Sequence, residues 1–177
     1  MSSLHLIQHR FAGWAAASAA SASPRCRFKV SVGVAILEAI GFGPAYNDPR
    51  HLPSPQRFDT VHRGWRIEAI QAAKKRGIQM SHGVAAKLIN VYLKSRFVCG
   101  GFSQHPKIAA IHPPIDSILL RALEMASHPE DKPIWRKLMK ARWSKFDSET
   151  YEHAHKAIAL TTAPLPAWTI ETQWRPE

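Results

Sequence analysis

Apolar residues recur at helical spacing along most of the chain, and no segment alternates apolar and polar in the manner of a paired strand, which predicts an all-α fold. Seven stretches carry the pattern: 5–22, 32–40, 55–76, 81–99, 117–126, 132–142 and 149–159. Punctuation agrees with it. Ser23-Pro24 ends the first stretch, Ser31 is a candidate N-cap for the second with Gly41 beyond its end, and Gly77 stops the third. Ser81 caps the fourth, which runs to Gly100-Gly101, and Asp147 or Ser148 caps the last. The proline-rich 43–55 segment reads as a loop and a boundary between two small lobes, and 161–177, with prolines and two tryptophans, as an extended tail. The expectation is one helical domain over 1–177, a compact bundle of six or seven helices.

The fourth stretch is unusual. From Gly83 to Leu93 it is apolar on every side, broken by Lys87 and Asn90 alone. A helix apolar all round belongs in an interior, where an ammonium is costly unless paired or used. Burial disfavours the ammonium, and a neutral amine is a nucleophile. Lys87 therefore either snorkels to solvent or does chemistry.

A second candidate follows Pro113-Pro114. The prolines force an extended approach, and a helix begins at once, so Asp116 falls at its N-cap. A carboxylate there is held ionised by the amides and the helix dipole and can support a developing cation or orient water.

Composition narrows the partner. The chain has 24 Lys+Arg against 13 Asp+Glu, a net charge of +11, which suits a polyanion such as nucleic acid. No apolar run approaches the length of a membrane span. Cys26 and Cys99 are too few for a disulfide framework or an iron–sulfur cluster, and they point to a reducing, cytoplasmic setting. The acid-free, Ala- and Ser-rich start, with Arg10, Arg25 and Arg27, has the composition of a transit peptide, but an ordinary helix is the preferred reading. The ten histidines show no ligand spacing, there is no glycine-rich nucleotide loop, and no metal or cofactor is expected.

Gly83-Val84-Ala85-Ala86-Lys87-Leu88-Ile89-Asn90 resembles the hairpin and following helix of the helix-hairpin-helix DNA glycosylases, and Ile111-His112-Pro113-Pro114-Ile115-Asp116 resembles the segment carrying that family's aspartate. The resemblance spans about residues 78–126. It implies a helix-hairpin-helix glycosylase-like fold and a DNA N-glycosylase/abasic-site lyase acting on a flipped base in double-stranded DNA. Lys87 falls on the nucleophile and Asp116 on the aspartate. Ser81, Gly83 and Ala85 would present backbone amides to a DNA phosphate. Lys94, Arg136 and Lys140 are further DNA-binding candidates. Around the last two, Lys137, Arg142 and Lys145 interleave with Trp135 and Trp143, which could stack on bases or belong to the core. Trp14, Trp65 and Phe58 read as core rather than base-reading. The alternative is a monomeric, non-enzymatic nucleic-acid-binding protein on the same scaffold. A third reading, an interaction module, expects a large exposed apolar patch.

Overall fold

The computed structural model describes residues 3–23 and 26–175. Its α-helices are α1 Ser3–Ala20, α2 Val30–Ala39, α3 Pro55–Lys74, α4 His82–Leu93, α5 Ser117–Ala126, α6 Lys132–Ala141 and α7 Ser148–Thr162, and no strand occurs among the described residues. The all-α expectation holds there. Pro24, half of the expected stop after α1, and Arg25 lie outside the described residues.

Local chemistry sets the boundaries. Ser81, Asp116 and Asp147 are the N-caps of α4, α5 and α7, their side chains accepting from the amides of Val84, Leu119 and Thr150. Gly77, just past α3, has φ 74°, a conformation open to glycine at little cost. Ser31 does not cap α2, because that helix starts earlier and Lys29 takes the N-cap position. Two segments differ from the sequence reading. Beyond Leu93, α4 continues as a π-helical segment, Lys94–Phe102, ending at a kink where Gly101 has φ 90°. The tail is not extended: Ala167–Gln173 winds into a 3-10 helix. Two contacts draw it in, since Ile170 is buried and the Trp168 indole donates to the Ile108 carbonyl at 3.1 Å.

α1 packs in an unexpected sense. Its buried face is small (Ala12, Gly13, Ala16, Ala17 and Ala20), while Leu4, Ile7, Phe11 and Trp14 face solvent. Small residues let α1 approach α2 closely: a Cβ on Gly33 would lie 2.5 Å from that of Ala17. Trp14, read from sequence as core, is therefore exposed, whereas Phe58 is fully buried.

The apolar interior divides in two. One core draws on α1 to α4 and the residues up to Ile111, the other on α5 to α7 with Ile115 and Ile170. Phe42, Leu52 and Phe58 share the first core, so the 43–55 loop does not separate lobes; the division falls at His112 to Pro114. α4 serves both cores, turning Ala85 and Leu88 to the first and Ala86 to the second.

A buried polar column braces the crossing between them. The Asn90 amide nitrogen donates to the Pro113 carbonyl and to the Tyr151 hydroxyl, each at 2.9 Å, and its oxygen lies 2.8 Å from His62 Nε2. Asn90→Leu keeps the volume and strands three partners. It is expected to cost about 3 kcal/mol, a fall of roughly 6–12 °C in a thermal melt at this chain length.

The rings of His62 and His112 lie 4.3 Å apart, and those of His112 and His155 3.5 Å. Burial, then neighbouring positive groups, hold His62 and His112 well below the usual imidazole range, and burial takes His155 down to about 4. These imidazoles are neutral in the fold and protonate more readily when the chain unfolds. Below about pH 6.5 the unfolded state thus binds more protons, so stability is fully present above that pH and declines as pH falls toward 4. Discounted for partial exposure, His155 alone contributes about 2 kcal/mol. Melts at pH 7 and pH 4.5 should differ by roughly 4–8 °C by that conversion; equal midpoints would contradict neutral burial.

Candidate active site

Lys87 and Asp116 meet. Asn90, one helical turn beyond Lys87, fixes the Pro113 carbonyl and with it the extended run into α5. This brings Asp116 Oδ2 to 3.0 Å from Lys87 Nζ, both side chains almost buried, at 11% and 8% exposure. The carboxylate is held from three sides. Oδ1 accepts from the Leu119 amide at 2.8 Å, while Oδ2 accepts from Lys87 and, at 3.1 Å, from the indole N–H of Trp174. The ammonium lies 4.5 Å from the centre of the Trp143 ring, within cation–π range.

Trp143 owes its position to strained backbone. Arg142, where α6 ends, has φ 64°, a conformation that costs a non-glycine residue on the order of 1 kcal/mol. It is over-determined by its amide donating to Leu138 O and its carbonyl accepting from the Lys145 amide at 2.8 Å. The turn folds residues 143–146 onto the start of α4.

The pair opens onto a cleft of about 600 Å³, walled by Trp143, Ile118 and Met139, with Arg121 and Arg142 as cations. A second hollow of about 630 Å³ adjoins it along α5, sharing Ser117, Ile118 and Arg121 and adding Arg175. Among the described residues, Asp116 is the sole carboxylate lining either.

The other sequence candidates fare differently. The groups that Gly83 and Ala85 would offer a phosphate are taken within the chain. The Gly83 amide donates to the Phe146 carbonyl at 3.1 Å, the Ala85 amide to Ser81 O, and the Ser81 hydroxyl to Ser144 O. Ala85 is fully buried. Gly83 is nonetheless required, because a Cβ there would stand 1.8 Å from the Trp143 carbonyl oxygen. The close approach this glycine permits is to the chain's own backbone. Lys94 is ion-paired with Glu171, whose carboxyl burial holds above the usual range, with Lys94 opposing and Asp116 adding to the effect. Arg136 pairs with Glu124, and Lys140 is exposed on α6. Trp135 is core, and Trp143 belongs to the site.

Sequence reading did not find Trp174, Glu171 or Arg121. The first two reach the site through a tail that gave no periodic signal, and Arg121 is one of many cations. Comparison with protein-family models, curated proteins and solved structures gives no significant match.

Proposed function

We propose that the chain is a DNA N-glycosylase with abasic-site lyase activity, acting on a base flipped from double-stranded DNA. The observation that carries this reading is the buried Lys87–Asp116 pair, 3.0 Å apart at the wall of a cleft with a cationic rim. An amine and a fixed carboxylate are the two groups that the reaction needs. Asp116, anchored by an amide and an indole, supports the sugar cation as the C1′–N bond breaks and the base leaves with the electron pair. A proton passes from the Lys87 ammonium to a carboxylate oxygen across their hydrogen bond. The neutral amine then bonds to C1′, and ring opening moves a second proton from nitrogen to the ring oxygen, giving a Schiff base. At a preformed abasic site the amine condenses with the aldehyde and releases water. Arg121, Arg142 and Arg175 offer positive charge to flanking phosphates, and Trp143 offers a stacking face.

Borohydride trapping on duplex DNA bearing an abasic site tests this. Wild-type protein is expected to give a covalent adduct that Lys87→Ala abolishes. A folded wild-type protein that gives no adduct removes the lyase step.

A second reading, a non-enzymatic nucleic-acid-binding protein with the same scaffold, draws on the covered start of α4 and on the mutual satisfaction of Lys87 and Asp116. It expects DNA binding that weakens steeply with salt, through counterion release, and no adduct.

A further inference from the structure

Linked to Asn90 through the Tyr151 hydroxyl, a second group of chemically capable side chains converges. Asp59 on α3, His112 at the crossing between the two cores and His155 on α7 each offer one donor atom, all within 4.8 Å of one another. Spacing along the sequence could not reveal the group, since its members come from three separate elements.

We propose that Asp59, His112 and His155 form a binding site for Zn²⁺, with the remaining coordination position open to solvent.

The donor set fits the ion. Two imidazole nitrogens with one carboxylate suit a borderline first-row cation, whereas Ca²⁺ and Mg²⁺ take oxygen ligands. The orientation of His112 fits as well. Its Nε2 faces Asp59 Oδ1 at 2.8 Å, and its Nδ1 lies 3.0 Å from the Tyr151 hydroxyl, which is itself held by Asn90. Here Nε2–H donates to the Asp59 carboxylate and Nδ1 accepts from the Tyr151 hydroxyl; an ion would take the place of the Nε2 proton, which shifts to Nδ1 and is donated to Tyr151, the arrangement by which an outer partner fixes a ligating histidine. Metal–donor bonds of about 2.0–2.2 Å bring tetrahedral donors to roughly 3.4 Å apart. The movement required falls on the two freer side chains. Asp59 is 80% exposed and can swing, and half-buried His155 can turn out of its stack on His112. The nearby Arg66 guanidinium, 4.4 Å from the centre of the Tyr151 ring, opposes a cation, but its charge is offset by Glu152 at 2.8 Å. Exposure of Asp59 gives the ion an entry path. This site stands apart from the Lys87 pair and does not rest on the glycosylase reading.

The test is Co²⁺ titration of the full-length, tag-free, chelator-treated protein at pH 7, read by visible d–d absorption and by displacement with Zn²⁺. Wild type should bind one Co²⁺ per chain. His155→Ala and Asp59→Asn should each weaken binding at least tenfold, while His153→Ala, an exposed neighbour, should leave it unchanged. Zn²⁺ should raise the melting temperature of the wild type and not of Asp59→Asn. Absence of uptake by wild type, or uptake that survives either ligand substitution, overturns the site. Asp59→Asn changes an exposed side chain, so it decides the matter even if His155→Ala does not fold.

Discussion

Gly83→Ala is expected to cost about 3–5 kcal/mol, above the usual range for overpacking because the clash is with backbone, and to lower the melting midpoint by roughly 6–20 °C. The added methyl would stand 1.8 Å from the Trp143 carbonyl oxygen and 3.1 Å from the Phe146 Cβ. A backbone oxygen cannot rotate away like a side chain. Either α4 or the 143–146 turn must retreat, and the Gly83 amide then loses the Phe146 carbonyl. Trp143 moves with the turn, so the Lys87 ammonium loses its aromatic face as well. Gly64→Ala is the matched control. It lies within α3, where an added methyl meets nothing within 4 Å, and it should stabilise the fold by roughly 0.5–1 kcal/mol through helix propensity and a less flexible unfolded chain. Opposite signs from two chemically identical substitutions, read in one set of thermal melts, would verify the close approach. A Gly83→Ala protein that melts with the wild type would refute it.

Asp116→Asn should also be severe, at about 3–5 kcal/mol, because it leaves the Lys87 ammonium buried without a counter-charge. Loss of the cap is not the cause, since Asn caps as well as Asp. One amide oxygen must serve where two carboxylate oxygens now accept from Leu119, Lys87 and Trp174. Lys87→Met in the same chain removes the stranded charge and should restore much of the lost stability, giving a coupling energy of about 2 kcal/mol or more in a double-mutant cycle. Additive losses would mean that the pair is not the close ionic contact described. The activity readout is separate: under the glycosylase reading, the double variant folds and yields no trapped adduct.

These expectations rest on features that the sequence revealed unevenly. Helical spacing located the helices, and caps at Ser81, Asp116 and Asp147 follow from ordinary N-cap chemistry. Lys87 stood out because its surroundings were apolar, and a buried ammonium needs a partner. Asp116 stood out at a helix start just after two prolines, the family resemblance paired it with Lys87, and the two do lie together. What was not legible depends on packing. Periodicity marks apolar residues without saying which face turns inward, so Trp14 was misread on a helix that packs through alanine. The start of α4 has the composition of a phosphate-binding turn, and only the fold shows residues 143–146 lying across it. Tail residues such as Trp174 act through contacts across the whole chain, for which no local pattern exists. His112 and His155 lack ligand spacing for the same reason.

The split interior bears on how the cleft opens. Each half keeps its own apolar core, and the polar groups of the Lys87 pair and the Asn90 column gather near the join. Parting the join breaks these hydrogen bonds and the contacts that Ala86, Trp143 and Trp168 make across it, but leaves most of each core packed. Breathing of the two halves about the buried Pro113-Pro114 crossing is therefore a subglobal opening, lower in free energy than unfolding. Amide hydrogens lining the join should exchange through that opening, well ahead of those inside either core.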